Sequence, residues 1–247
     1  LEEQRRIVDM LEEKIGDTKK AIQFRKGSII DTEKMLSARL SEIFSEGKDK
    51  GWEERQLGDF AKLQGGYAFK SSDYLNGNGV PLVRIQNLKN EVVDMAKAVY
   101  LSSKNFEDSA NFHLESGDIL IAMSGATTGK LARIKKEQLP ALLNQRVGRF
   151  KVANSALKDF VYYFLKFKQG HILDIAYGGA QPNISGGKIE ALKISLPDLD
   201  NQRLIVRELD ELSGRVDELK FLQERQLEDL KSLERAFLHE AFNGELL

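Results

Sequence analysis

The 247-residue chain carries 37 basic and 38 acidic side chains for a net charge of −1, with 41% hydrophobic residues and no cysteine. That composition supports a buried core, and the absence of thiols excludes disulfides and thiolate metal sites, as expected of a cytoplasmic protein. No apolar run approaches the roughly 18 residues of a membrane-spanning helix, so no membrane partner is expected.

The first 47 residues read as one long helix. Val8, Ile15, Ile22, Ile29, Leu36 and Ile43 recur every seven residues, and Leu11, Ala21, Met35 and Leu40 widen the stripe into the seam of a coiled coil. Gly16 and Gly27 are weak points at which this helix could bend or end. Residues 45–51 are polar and flanked by glycine, a linker, and Trp52 then opens a globular unit. Residues 56–63 read as a short strand or helical turn. Residues 80–85 read as a strand with Pro81 near its start, residues 92–100 as a strand region, and residues 102–110 as a short helix. Ile119-Leu120-Ile121-Ala122-Met123 is apolar, short and bounded by turns, hence a buried strand. It pairs with an alternating return strand over residues 130–134 to form a hairpin whose tip is Ser124-Gly125-Ala126-Thr127-Thr128-Gly129. Residues 147–152 alternate as a further strand, residues 158–168 form an amphipathic helix, residues 177–188 a glycine-rich loop, and residues 189–196 return to the core.

The opening pattern then appears a second time. With the numbering shifted by 198, Leu1, Gln4, Arg5, Ile7, Val8, Leu11, Glu13 and Gly16 meet Leu199, Gln202, Arg203, Ile205, Val206, Leu209, Glu211 and Gly214. A solenoid needs at least three stacked copies, whereas these two bracket everything else. The second seam is expected to use Leu209, Leu212, Val216, Leu219, Leu230, Leu233 and Phe237. Gln223 and Gln226 fall at its centre, where either buried polar groups fix the register or, the favoured reading, the stripe drifts. Gly214 is a further weak point. Each helix would run about 40 residues, on the order of 60 Å, and neither can stay folded alone with one apolar face. The expected fold class is therefore α+β: one mixed globular domain over residues 48–197, flanked by long α-helices over 1–47 and 198–247 that pair as an antiparallel coiled coil. Two core helices of an ordinary bundle are the alternative.

Catalytic signatures fail on spacing. Gly125 to Lys130 has three residues between its glycines and Leu131 after the lysine, so it is not a phosphate-cradling loop. His239-Glu240 begins a zinc-protease pattern, but Asn243 stands where the second histidine belongs. His113, His171 and His239 are scattered, and the four prolines include no adjacent pair of the kind an adenine methyltransferase carries. No catalytic residue, no metal site and no cofactor of its own is assigned to this chain. Charge points elsewhere. Residues 48–197 hold 21 basic against 15 acidic groups, and residues 130–168 hold ten against two, the footprint of a surface that meets phosphates. Arg149 is counted among those expected to face phosphate.

Strand ends and loops in the same region are rich in side chains that read base edges and backbones: arginine for guanine, asparagine and glutamine for adenine, hydroxyls and lysines for phosphates. The candidate DNA-binding residues are Lys70, Arg84, Gln86, Asn87, Ser124, Thr127, Thr128, Lys130, Arg133, Lys135, Lys136, Asn144, Gln145, Arg146, Gln181, Asn183, Ser185 and Lys188. A helical scaffold whose middle domain binds another protein is the alternative of a different class.

Gly117-Asp118-Ile119-Leu120, Met123-Ser124-Gly125, Asn144-Gln145, the run Gly179-Ala180-Gln181-Pro182-Asn183-Ile184-Ser185, and Ile194-Ser195-Leu196-Pro197 leading into Gln202-Arg203-Leu204-Ile205-Val206 together resemble a specificity subunit of a type I restriction-modification system. The resemblance covers nearly the whole chain. It implies that the mixed domain is a target recognition domain reading one part of a split double-stranded DNA target, with the helices as a spacer that holds methyltransferase subunits. Those subunits would modify adenine with S-adenosylmethionine, and the assembly would recruit a nuclease-translocase subunit. The family plan has two recognition domains, so this chain is expected to be a C-terminal half or a half-subunit that forms a homodimer.

Overall fold

The computed structural model describes residues 2–47, 49–89, 91–152, 154–177 and 183–243. The chain divides into two compact units, one formed by residues 40–206 and the other by residues 1–39 with 207–247.

The elements run α1 (Glu2–Glu46), β1 (Glu53–Gln56), β2 (Ala61–Gly65), β3 (Val80–Val83), β4 (Leu88–Lys89), β5 (Glu91–Val93), β6 (Val99–Leu101), α2 (Ser103–Glu107), β7 (Ile119–Ala122), β8 (Leu131–Arg133), β9 (Leu142–Leu143), β10 (Val147–Val152), α3 (Ser155–Phe167), α4 (Gln169–Tyr177), α5 (Gly186–Glu190), β11 (Lys193–Leu196) and α6 (Leu199–Asn243). In the unit of residues 40–206, a six-stranded mixed sheet has the order β2-β10-β7-β8-β5-β4. A three-stranded sheet, β6-β3-β9, and a two-stranded sheet, β1-β11, complete it. The hairpin expected from the apolar run is present: β7 pairs antiparallel with β8, with Ile119 opposite Arg133 and Ile121 opposite Leu131.

All four residues of β7 are buried, as expected for an interior strand. The alternation expected of residues 147–152 is not observed, because Val147, Gly148, Arg149 and Phe150 are all buried. Strand β10 is central, flanked by β2 and β7, and α3 packs against it, so neither face of its first four residues meets water. Gly148 is closely packed there, since an added Cβ would stand 2.7 Å from Leu63 Cδ1 and 2.8 Å from Met123 Sδ, so those side chains would have to shift. In β8, Leu131 and Ala132 are both buried for the same reason. Residues 92–100 contain two short strands assigned to different sheets, and residues 189–196 split between α5 and β11. The expected linker at residues 45–51 starts later than anticipated, because α1 persists to Glu46. Helix α3 supplies the aromatic core: Phe160, Tyr163 and Phe164 are buried, and the Phe44 ring lies 5.2, 5.7 and 5.5 Å from those of Phe160, Phe164 and Phe167.

Entry into α6 is capped by Asp198, whose carboxylate accepts the Asn201 backbone N–H at 2.9 Å and its side-chain amide at 2.8 Å. Those bonds hold the carboxyl below its usual range, and the negative charge suits a helix N-terminus.

In the other unit the two helices run antiparallel, as partner numbers rise along one and fall along the other. Lys14 lies over the Phe237 ring, Thr32 receives a hydrogen bond from Gln223, Glu33 pairs with Lys220, and Arg39 pairs with Glu208. Neither Gly16, Gly27 nor Gly214 interrupts its helix. The cost of glycine over alanine is about 1 kcal/mol, less than burial of a shared seam returns. That seam differs from the expected one in composition. Along α1 the covered positions are Leu11, Ile15, Thr18, Ile22, Arg25, Ile29, Thr32 and Leu36, in four- and three-residue steps, whereas Val8 and Met35 are exposed. Along α6 they include Leu209, Val216, Lys220, Gln223, Leu227, Leu230 and Phe237, with Leu219 and Leu233 outside.

At its centre the stripe drifts by one residue, with Leu227 covered in place of the exposed Gln226, but Gln223 remains in it. The Gln223 Nε2 donates to Thr32 Oγ1 at 3.0 Å, while Thr32 Oγ1 donates to Ser28 O at 2.9 Å. Gln223 Oε1 is buried without a partner, and an unsatisfied buried acceptor costs about 1–3 kcal/mol. We expect Gln223→Leu to raise the helical melting transition, followed by circular dichroism, because a polar seam residue specifies register at the expense of stability. An unchanged or lowered transition would show that the glutamine–threonine bond outweighs the buried acceptor.

Candidate nucleic-acid interface

Five segments far apart in sequence meet through backbone hydrogen bonds within residues 40–206. Tyr67 donates to Leu143 O at 3.0 Å and accepts from Gln145 N at 2.9 Å, Asn144 donates to Val83 O, Met123 donates to Arg146 O, and Ile184 donates to Met123 O at 2.8 Å. Ser124 and Asn183 form an antiparallel bridge. Thr127 Oγ1 donates to Ile85 O at 3.2 Å, tying the hairpin tip to the turn after β3. The close approach requires Gly66, where a Cβ would stand 2.3 Å from Asn144 O. Residues 66–70, 84–87, 124–130, 144–146 and 183–188 thus form one edge. It holds Lys70, Arg84, Lys130, Arg146 and Lys188 and not one carboxylate.

Within that edge the candidate residues divide by exposure. Lys70, Gln86, Lys130, Gln145, Arg146, Asn183, Ser185 and Lys188 are exposed, and Arg84, Ser124 and Thr127 are half-buried. The Arg84 guanidinium lies 5.7 Å from the Tyr74 ring centre, a cation–π contact that orients it. Asn87, Thr128 and Asn144 are buried and engaged internally. Asn87 Oδ1 accepts from Arg84 N and its amide donates to Asp94 O, both at 2.9 Å, which shapes the turn presenting Gln86. Thr128 Oγ1 donates to Gly125 O within the hairpin tip, and Asn144 Oδ1 accepts from Arg146 N at 3.5 Å. Gln181 lies outside the described residues.

Arg133, Lys135 and Lys136 are placed elsewhere. Arg133 stands opposite Ile119 at the start of β7, whereas the hairpin tip follows the end of that strand, roughly 10 Å away along β8 at 3.3 Å per residue. Its guanidinium donates to Asp159 at 2.8 Å and covers the Tyr162 ring at 4.1 Å. Burial pushes the Tyr162 hydroxyl far above the usual tyrosine range, and the negative Glu91 carboxylate, which accepts its hydrogen bond at 2.9 Å, reinforces the shift. Lys135 and Lys136 are exposed beyond β8.

Arg149 corrects the sequence expectation outright, because it is only 4% exposed and cannot meet phosphate. Its guanidinium donates to Asp118 at 3.2 Å, to Gln64 at 2.7 Å, and to the carbonyls of Asn111 and His113. Lys158 approaches the same aspartate at 3.4 Å, and Lys166 pairs with Glu91 at 2.6 Å. Part of the basic run at residues 130–168 is therefore structural. What sequence reasoning missed at the edge is Tyr67, which is exposed, and Tyr74, which supports Arg84; an aromatic directly after the Gly65-Gly66 pair was the available signal.

Removing one member of a buried ion pair strands the other, at a cost of about 3–5 kcal/mol. Arg149→Met is expected to destabilise the chain by that amount in denaturant unfolding, whereas Arg146→Gln, at an exposed position, should stay within about 0.5 kcal/mol. Equal effects at both sites would overturn this division of the basic residues.

Residues 49–228 match the family described as the type I restriction modification DNA specificity domain. The chain is 31% identical over 183 residues to the type I restriction enzyme EcoAI specificity subunit of Escherichia coli, covering 70% of this chain and 30% of that protein. It is 26% identical to the type I restriction enzyme MjaVIII specificity subunit of Methanocaldococcus jannaschii, covering 94% and 58%. Among solved structures, a chain from a study of complex assembly and conformational transition of the type I R-M system superposes with a TM-score of 0.83 at 26% identity, covering 99% of this chain and 60% of that one. The HsdS subunit from Thermoanaerobacter tengcongensis superposes with a TM-score of 0.65 at 26% identity, covering 99% and 59%. The chain thus spans less than two thirds of these relatives. With the family match covering the mixed sheet domain and running on into α6, and the fold matching over nearly its whole length, the chain belongs to the type I restriction-modification DNA specificity family.

Proposed function

We propose that this chain is the sequence-specific DNA-recognition component of a type I restriction-modification complex, reading one part of a split duplex target through residues 48–197. The observation that carries the reading is the edge built from five separate segments, with five cations, several exposed amides and hydroxyls, and no carboxylate. In this reading the lysines and Arg84 fix the phosphates while Gln86, Gln145, Arg146 and Asn183, all exposed, read base edges. On the same reading Lys135 and Lys136, exposed beyond β8, serve flanking phosphates rather than the centre of the contact.

The helices of residues 1–47 and 198–247 act as spacer and as docking site for methyltransferase subunits, which carry S-adenosylmethionine, and the assembly recruits a nuclease-translocase subunit in the cytoplasm. Support for docking comes from the helical pair itself. Beside the seam, Phe24, Met35, Leu219, Leu222 and Leu233 are all exposed. In an antiparallel pair the flanks holding Met35 and Leu219 share one side, so these residues form an apolar row that a protein partner covers.

Two measurements test the reading. DNA affinity should fall steeply with salt, by about 0.9 in log–log slope per phosphate neutralised, and Lys130→Gln should lower the slope by about one without altering base preference. Affinity that is flat with salt would remove the DNA-binding assignment in favour of a protein-binding scaffold. Deleting one heptad from each helix, about 10 Å of rise, should narrow the gap in the modified target by roughly three base pairs at 3.4 Å each. Mapping methylated adenines in DNA treated with the assembled complex reads that gap directly, and an unchanged gap would exclude the spacer role.

A further inference from the structure

Within the five segments of the reading edge, Tyr67 is the only exposed side chain that is apolar and larger than alanine. Phe69 and Ile184 are buried and Ile85 is half-buried, whereas Tyr67 is 51% exposed. Its position is fixed rather than adaptable. The backbone is bonded on both sides to residues 143–145, the preceding Gly66 N–H donates to Val147 O at 3.1 Å, and the ring rests 4.9 Å from Phe69 and 5.4 Å from Phe112. Among the described residues its hydroxyl makes no hydrogen bond. One part of the ring is thus packed against two aromatic neighbours, while about half of the side chain stays uncovered, and its backbone is bonded to that of Gln145.

We propose that Tyr67 is a specificity-determining residue whose ring contacts the 5-methyl group of a thymine in the major groove, next to the base pair read by Gln145 and Arg146. This rests on the DNA-reading assignment above. An apolar surface is the feature that distinguishes thymine's methyl from the polar edges of the other bases, and a ring held flush by three backbone hydrogen bonds suits contact with a base edge better than insertion between base pairs.

The test is selection of preferred sites from a random duplex library by the full chain, in the wild type and in Tyr67→Phe and Tyr67→Ala. Wild type and Tyr67→Phe should share one preference profile, because the hydroxyl is unused, and Tyr67→Ala should lose preference at a single thymine while keeping the rest. Deoxyuridine at that thymine should weaken wild-type binding about fourfold, the worth of one buried methyl, and leave Tyr67→Ala unaffected. A uniform loss across all sequences would make Tyr67 a packing residue. Loss at a non-thymine position, or loss in Tyr67→Phe, would overturn the methyl contact. A wild-type chain that selects no sequence at all would instead refute the DNA-reading assignment, and this inference with it.

Discussion

The segment from Leu143 to Val147 is held on three sides by main-chain hydrogen bonds, and the five-segment edge exists because of it. Tyr67 brackets it by bonding Leu143 O and Gln145 N, Val83 O receives Asn144 N, and Met123 N reaches Arg146 O. These bonds use the polar backbone of a loop that would otherwise need water, so the loop is rigid although it lies between β9 and β10 and not within a strand. The absence of a side chain at Gly66 permits the approach. Once that segment is placed, the turn after β3, the hairpin tip and residues 183–188 follow, each through one further bond.

Electrostatics in residues 40–206 is arranged by burial. Arginine and lysine serve two incompatible ends: Arg149, Lys158 and Lys166 are committed to Asp118 and Glu91, whereas Lys130 and Arg146 remain in water. A buried guanidinium must be met by acceptors, and Arg149 finds four, two of them carbonyls that no strand uses. The proposed phosphate-facing edge would have the opposite requirement. With no carboxylate in its five segments, the local potential stays positive and no ion pair within them would have to break on binding.

How far this was legible in the sequence depends on the physical signal. The two long helices, the buried β7 and its pairing with a return strand follow from periodicity and short apolar runs, which are local, and the structure bears them out, whereas it moves Val8, Met35, Leu219 and Leu233 out of the seam and buries Leu131 and Ala132 together. The family resemblance carried further still, naming the specificity family that the match over residues 49–228 supports. Charge density was less informative, because a run of basic residues says nothing about which of them a distant Asp118 or Asp159 will claim. The alternation of residues 147–152 misled for a similar reason: an arginine within a strand reads as outward-facing until its acceptors are known. Asn87, Thr128 and Asn144 carry the residue types of base readers, yet turns need the same donors and acceptors, and only the fold separates the two uses.

The helical pair poses a different problem, in that its seam is weaker than its length suggests. Thr18 and Thr32 alternate with isoleucine along α1, each hydroxyl returning to the carbonyl four residues earlier, and Arg25 occupies the layer between them. Threonine and glutamine layers bury less apolar area than leucine would, and each lost methylene forgoes about 0.8 kcal/mol. Meanwhile large apolar residues that would strengthen the seam, Met35, Leu219 and Leu233, stand just beside it in solvent. A two-helix pair selected only for its own stability would carry the opposite distribution. The same residues are well placed if the pair is one half of a larger helical packing, in which polar layers hold the register of the two strands and the outer apolar row is completed by other subunits.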